Sequence, residues 1–294
     1  MQYQLAVEEI WEVGKRKNEF GQPQQEDCLF PLPEDLNENC RVFLLCDGMG
    51  GHDAGEIASG IVCTTLGARC SQYLKLHQEL PDSVLLELLE ETYLELDKHD
   101  SGSSKKMGTT LAFLALHSKG ATIAHIGDSR VYHIRPGDSD IDTRILFQTE
   151  DHSLINDLIR IGELTKEEAR HSSKRNVITR AMQPNIDRCK ADIAEIVDIQ
   201  PEDWFYICSD GMLEQEEMED GSAIKRIFSN QVEDDDKVRI LRGATSENQD
   251  NHSAIIIKVN SVSYSPDKTL NLDENNRSLN VWEKIKLFFK SSHQ

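Results

Sequence analysis

Five apolar runs in this chain begin or end on an acid, and a carboxylate at the mouth of a buried strand is well placed to do chemistry. Val42-Phe43-Leu44-Leu45-Cys46 runs into Asp47-Gly48-Met49-Gly50-Gly51. Residues 121–126 lead to Gly127-Asp128, and residues 204–208 lead to Ser209-Asp210. Asp250-Asn251 stands just before Ala254-Ile255-Ile256-Ile257, and Glu26-Asp27 precedes Cys28-Leu29-Phe30. A single Asp-Gly at a strand end makes a turn and implies nothing further. Five such acids suggest one shared place, where carboxylates repel one another and stay ionised only if cations hold them.

Oxygen donors without clustered Cys or His suit hard cations, Mg²⁺ or Mn²⁺ rather than Zn²⁺; Ca²⁺ also takes oxygen ligands, but no EF-hand spacing is present. Two such ions about 4 Å apart can hold a water between them and lower its pKa toward neutrality. The resulting hydroxide is a nucleophile for phosphorus, and phosphate monoesters hydrolyse so slowly unaided that a large electrostatic contribution is required. Asp47 is the natural bridge between the ions, with the Gly48 carbonyl as a further ligand, and glycines there let backbone come close.

The elements that must position these acids can be read in outline. Residues 3–13 suit a first strand, with Leu5, Val7 and Trp11 on one face, and 28–30 and 40–46 suit two more. The unbroken apolar run at 42–46 implies a strand covered on both faces. Residues 53–77 have helical spacing, with Ile57, Ile61, Thr64, Thr65 and Ala68 on one side. After Pro81, Asp82 is positioned to cap a second helix that buries Leu85, Leu88, Leu89 and Leu96. A polar loop at 101–106 is followed by strands at 109–116, 121–126, 131–134 and 144–147. Two short helices are expected within 152–171, the first capped by Asp151 and the second opened by the capping box Thr165-x-x-Glu168. Strands at 190–198, 204–209 and 254–259 and helices at 222–230 and 235–243 complete the domain. Strands and helices come in batches, which points to α+β with largely antiparallel sheets. Residues 261–278 are polar and suit a linker. The tail regains helical spacing at Leu279, Trp282, Ile285, Phe288 and Phe289, as an amphipathic helix that packs back on its own domain or docks elsewhere.

With 294 residues, 38% of them hydrophobic, the chain can build one substantial core. Its 52 acids against 32 Lys and Arg give a formal charge of −20, which argues against nucleic-acid binding, although solubility accounts for most of the excess. Seven cysteines, an odd number with no Cys-x-x-Cys pair, favour a reducing, cytoplasmic setting. No signal peptide and no bilayer-spanning stretch is evident.

Asp47-Gly48-Met49-Gly50-Gly51-His52, with Gly55-Glu56-x-Ala58-Ser59, resembles the metal-dependent Ser/Thr protein phosphatases of type 2C in their bacterial form. Met107-Gly108-Thr109-Thr110-Leu111, Ile126-Gly127-Asp128-Ser129-Arg130, Asp151-His152-Ser153-Leu154, Ile178-Thr179-Arg180-Ala181, Ser209-Asp210-Gly211 and Asp250-Asn251 then follow in the family's order, over roughly residues 8–260. The resemblance implies a β-sandwich of two antiparallel sheets flanked by helix pairs, a four-layer α/β/β/α arrangement in residues 1–260, with metals at one end and a flap at 153–183. It implies hydrolysis of phosphoserine and phosphothreonine in proteins, opposite a Ser/Thr kinase, by a monomer and without a phosphoenzyme. By the same resemblance Asp47 bridges both Mn²⁺ or Mg²⁺ ions, the Gly48 carbonyl serves one of them, Asp210 and Asp250 hold one, and Glu26 holds the other. Asp128 joins Asp210 at a third ion in bacterial members.

Four departures bear on the site. The position of the family's phosphate-gripping arginine is Gln22, and Arg16 looks like that arginine displaced by a short insertion. Gln25 stands where asparagine is usual, Ala181-Met182-Gln183 where Ala-Leu-Gly is frequent, and Met49 where animal members have a general-acid histidine. His52 is read as local structure, and Arg130 as a partner of nearby acids. The vacant arginine position leaves open a phospho-site reader without turnover, and nothing in the chain reads a substrate's protein part, so a small-molecule phosphatase is the other rival.

Overall fold

The computed structural model describes residues 1–17, 20–50, 54–100, 107–170, 172, 174, 177–186 and 188–263. The 101–106 loop, His52 and the 264–294 tail, with the helix expected there, lie outside the described residues. In chain order the strands are β1 (Gln2–Glu12), β2 (Asp27–Phe30), β3 (Val42–Met49), β4 (Gly108–Thr109), β5 (Leu111–His117), β6 (Gly120–Ile126), β7 (Arg130–Arg135), β8 (Arg144–Gln148), β9 (Asp192–Ile196), β10 (Trp204–Cys208) and β11 (His252–Ser263). They form two antiparallel sheets, ordered β1-β11-β10-β7-β8 and β2-β3-β5-β6-β9, with β4 paired to the end of β3.

The apolar runs are unbroken because both faces of each sheet are covered. Along β3, Phe43 and Leu45 enter the layer between the sheets, where they meet Phe205, Ile207, Ile255 and Ile257. Val42, Leu44 and Cys46 face the other way, onto the helices α1 (Ala54–Leu76) and α2 (Asp82–Asp97). On the opposite sheet Tyr132, Trp204, Tyr206 and Ile256 pack under α6 (Ser222–Ile227) and α7 (Asp234–Thr245). The expected four-layer sandwich is therefore observed. The remaining helices are short: α3 (Leu154–Arg160), α4 (Lys166–Arg170) and α5 (Glu216–Glu219), the last not foreseen from sequence. Among the described residues, no helix is long and apolar enough to cross a membrane.

Three local expectations are corrected. Helix α1 buries Ala58, Ser59, Val62, Cys63, Leu66, Gly67 and Cys70, while Ile57 is 45% exposed. The buried stripe is offset by one position from the expected one, and the helix lies so close to the sheet there that a Cβ on Gly67 would fall 2.3 Å from the Phe30 ring. Asp82 is the first residue of α2, not its cap; Pro81 holds that position, with no side-chain capping bond. Residues 261–263, read as the start of a linker, continue β11 and pair with Gln2–Gln4 across a bulge. All seven cysteines are free thiols.

Candidate metal centre

Asp47 sits at the end of β3, and its backbone is fixed from the side. Its N–H donates to Thr110 Oγ1 (2.9 Å), and its carbonyl accepts from the Thr110 N–H (2.9 Å) and Thr109 Oγ1 (2.9 Å). The Gly48 N–H donates to the Glu26 carbonyl (3.0 Å). A Cβ on Gly48 would lie 2.2 Å from the Gly55 carbonyl oxygen, so the start of α1 can approach only because residue 48 has no side chain. The β2–β3 register sets Asp27 directly opposite Asp47. Asp27 is 3% exposed and accepts from Ser209 Oγ (3.0 Å). Sequence reading named Asp27 beside Glu26 but left it out of the metal set; an acid at the mouth of each of two adjacent strands was the available signal.

The other acids arrive from separate connections. Asp128 lies in the β6–β7 turn, Asp210 opens the 3-10 turn Asp210–Leu213 after β10, and Asp250 lies on the loop before β11. That loop is clamped: Glu214 accepts from the backbone N–H of Gln249 (2.9 Å) and Asp250 (2.8 Å), and Asn248 Nδ2 donates to the Gly211 carbonyl (2.6 Å). Asn251 Oδ1 takes the Glu26 N–H (2.9 Å), joining the loop to β2. Glu214 and Asn251 are supporting residues that the sequence reading did not single out, although both stand within or next to motifs it used.

Convergence shows in the charges. Withdrawal from water first, then the charges of Asp27, Asp210, Asp128 and Asp250, push the Asp47 carboxyl well above its usual range. Burial, then Asp210 and Asp151, raises Asp128 to about 8. Burial raises Asp27 to about 7, with Asp210 and Asp250 adding to it, and burial and then Asp250 raise Asp210. One carboxylate oxygen each of Asp27, Asp128 and Asp210 is buried without a hydrogen-bond partner. Unpaired buried acceptors and mutually repelling carboxylates are what a divalent cation would satisfy, and an all-oxygen set fits Mg²⁺ or Mn²⁺.

Asp128, Asp210 and Asp250 line a cleft of about 360 Å³ together with Arg16. The insertion has not carried Arg16 away: its Nη2 donates to Asp250 Oδ1 (2.7 Å), and its backbone N–H to the Gln249 carbonyl (2.7 Å). Glu26 faces a smaller adjoining hollow of about 50 Å³ shared with Arg16 and Asp250. Gln25, in place of asparagine, accepts the Asp27 N–H (3.0 Å) and donates to the Glu12 carbonyl (3.2 Å). A larger hollow of about 550 Å³ adjoins the cleft on the α3 side and shares Arg130, Asp151, Glu214 and Glu219 with it. It lacks the clustered aspartates, so the chemistry belongs to the smaller cleft.

Asp151 does not cap α3. It forms a two-pronged pair with Arg130 (Nε and Nη2 to the two carboxylate oxygens, both 2.7 Å), and Ser153 Oγ caps the helix by accepting from the Asn156 N–H (3.3 Å). The guanidinium wins because it is buried and leaves the Asp151 carboxylate no freedom to turn to the helix. The capping box of α4 forms as expected, Thr165 N–H to Glu168 Oε2 (2.9 Å) and Glu168 N–H to Thr165 Oγ1 (3.3 Å). Met182 is fully buried and exchanges backbone bonds with Thr109, which absorbs the departure at 181–183. Away from the acids, His125, His152 and Asp192 bring potential ligand atoms within 4.8 Å of one another. That group is not a cation site: His152 Nδ1 accepts from the Gly127 N–H (3.1 Å), so Nε2 keeps its proton, and Arg180 Nη1 lies 3.1 Å from it.

Residues 13–243 match the family model described as Protein phosphatase 2C. A putative protein phosphatase 2C-type of Streptococcus pyogenes is 31% identical over 241 residues, 81% of this chain and 88% of that one. The protein phosphatase PhpP of Streptococcus pneumoniae is 33% identical over 207 residues, 68% of this chain and 77% of that one. Among solved structures, the catalytic domain of the serine threonine protein phosphatase PstP, in complex with two manganese ions, superimposes with a TM-score of 0.64 at 22% identity, covering 88% of this chain and 99% of that one.

Proposed function

The chain belongs to the protein phosphatase 2C family, and from that premise we propose how its own residues carry out metal-dependent hydrolysis of phosphoserine and phosphothreonine in proteins. The observation that carries the reading is the meeting of Asp47, Asp128, Asp210 and Asp250, drawn from four separate connections, with buried carboxylate oxygens left unpaired. Asp47 would help hold two Mn²⁺ or Mg²⁺ ions and the Gly48 carbonyl one of them; Asp210 and Asp250 would hold one, Glu26 the other, and Asp128 with Asp210 a third. When bound, the ions would supply a water acidic enough at neutral pH to attack phosphorus in line.

The protein's own part is positioning. Thr110 and the Glu26 carbonyl hold the Asp47-Gly48 backbone at fixed points, and Glu214 holds the loop that carries Asp250. Arg16, on the rim of the cleft beside Asp250, would grip the phosphate oxygens. Its position there supports turnover over a reader without it. No side chain is assigned as a covalent nucleophile. Residues 1–263 are proposed to act as one catalytic unit, a cytoplasmic monomer working against a Ser/Thr kinase.

The test is hydrolysis of p-nitrophenyl phosphate and of a phosphothreonine peptide with Mn²⁺ added or chelated, for wild type and Asp47→Asn. Turnover of both substrates should need the ion and should be lost in the variant. Turnover that survives chelation would defeat the mechanism, and turnover of the small ester alone would defeat the protein-substrate assignment.

A further inference from the structure

We propose that His152 is a positioning residue that aims Asp128 and, through its opposite ring edge, closes the neck of the 153–183 segment. The inference rests on Asp128 being a metal ligand, as read above. His152 is 4% exposed, and its ring stacks on His125 with centroids 4.5 Å apart. Its Nδ1 accepts from the Gly127 N–H (3.1 Å), and its own N–H donates to the Gly127 carbonyl (2.9 Å). Both polar groups of Gly127 are therefore held by one residue. Gly127 has φ +102°, and a Cβ there would meet Thr110 Cγ2 at 2.7 Å. The peptide that carries Asp128 is thus pinned between His152 and Thr110, and Thr110 is the residue that fixes Asp47.

The other edge of the ring looks away from the acids. With Nδ1 accepting, the neutral imidazole carries its proton on Nε2 and donates to Asp192 Oδ2 (3.1 Å). Arg180 Nη1 donates to the other oxygen of Asp192 (3.1 Å). The backbone closes the same neck: Leu154 N–H to the Val177 carbonyl (2.8 Å) and Thr179 N–H to the His152 carbonyl (2.8 Å). The ring therefore meets the turn bearing Asp128 on one edge and Asp192 and Arg180 on the other, while the backbone of His152 and Leu154 joins the two ends of the segment beside the cleft. A displacement of that neck is passed to Asp128 through Gly127, with no intervening side chain.

Two half-replacements separate the jobs. In His152→Asn the amide oxygen reaches about where Nδ1 sits and keeps the Gly127 bond, but the side chain is too short for Asp192. In His152→Gln the amide reaches Asp192 and leaves the Gly127 N–H unpaired. Calorimetric titration of the full chain with Mn²⁺ should show the site that Asp128→Asn removes also lost or weakened about 10- to 100-fold in His152→Gln, as expected for a group that orients a ligand. In His152→Asn that site should stay intact, while KM for a phosphothreonine peptide rises and KM for p-nitrophenyl phosphate does not. Asp192→Asn, which leaves the Gly127 bond alone, should repeat the His152→Asn result and covers the case in which a ring replacement fails to fold. Manganese isotherms of His152→Gln matching wild type, or both half-replacements losing metal affinity and peptide KM alike, would overturn the inference. Wild type that takes up no Mn²⁺ would instead overturn the reading of Asp128 beneath it.

Discussion

Loading the cleft with Mn²⁺ should expel protons, and their number follows from the crowding of the aspartates. Asp128 is held at about 8 by burial and by Asp210 and Asp151, and Asp27 at about 7 by burial and by Asp210 and Asp250. At pH 6.5 without metal these two carry roughly 1.7 protons between them, and Asp47, held well above its usual range, adds to that count. A divalent cation among them favours the ionised forms, so saturation should release roughly two or more protons per chain at pH 6.5, and fewer as pH rises through about 7 to 8. Asp128→Asn should release about one fewer at pH 6.5. The sign for stability follows from the same shifts. A carboxyl raised in the folded state stabilises the metal-free fold below its unfolded pKa near 4, and that contribution is lost as pH rises through about 7 to 8. Metal-free protein should therefore melt lower at pH 8.5 than at pH 6, and Mn²⁺ should raise Tm more at pH 8.5. Calorimetry in buffers of different ionisation enthalpy counts the protons. No release at pH 6.5, or an equal count from Asp128→Asn, would show that these acids are not crowded as described.

Arg16→Ala should raise KM for phosphorylated substrates with little change in kcat, since gripping phosphate is mainly ground-state binding; steady-state kinetics with Mn²⁺ decides it. The same change should shift stability by less than about 1 kcal/mol, because the Arg16–Asp250 pair is largely exposed. Gly67→Ala should destabilise by about 1–3 kcal/mol in denaturant melts, although alanine is the better helix former by about 1 kcal/mol, because its Cβ would enter the Phe30 ring. Asp203 is fully buried and accepts from Arg135 Nε (2.7 Å) and Nη2 (2.8 Å) and pairs with His133 Nε2 (2.9 Å) at the end of the sandwich away from Asp210. Asp203→Ala should cost roughly 3 kcal/mol of stability and leave KM at 25 °C unchanged; a shift in KM would mean that this end of the sandwich communicates with the cleft.

Much of the molecule was legible in the chain because the signals are local. A short apolar run such as Val42–Cys46, with no polar alternation and bounded by glycine, reads as a strand covered on both sides, and this predicts layers outside each sheet. Acids gathered at strand mouths, with no clustered Cys or His, pointed to hard-cation chemistry before any fold was known. Distances across the fold were not legible. Asp27 joins the cluster because the β2–β3 register sets it opposite Asp47, and a slip of one residue would turn it to the other face. Arg16 reaches the cleft because the backbone N–H groups of Lys15 and Arg16 donate to the carbonyls of Asn248 and Gln249, more than 200 residues away in sequence. The inner face of α1 fell on Ala58, Val62, Cys63, Leu66 and Gly67 instead of Ile57, a choice made by the sheet it covers, which comes close enough at Gly67 to exclude a side chain. Asp151 had a helix cap open to it locally and took a buried arginine instead. In each case composition and period stated what a residue could do, and the partner brought by long-range packing decided which of those things it does.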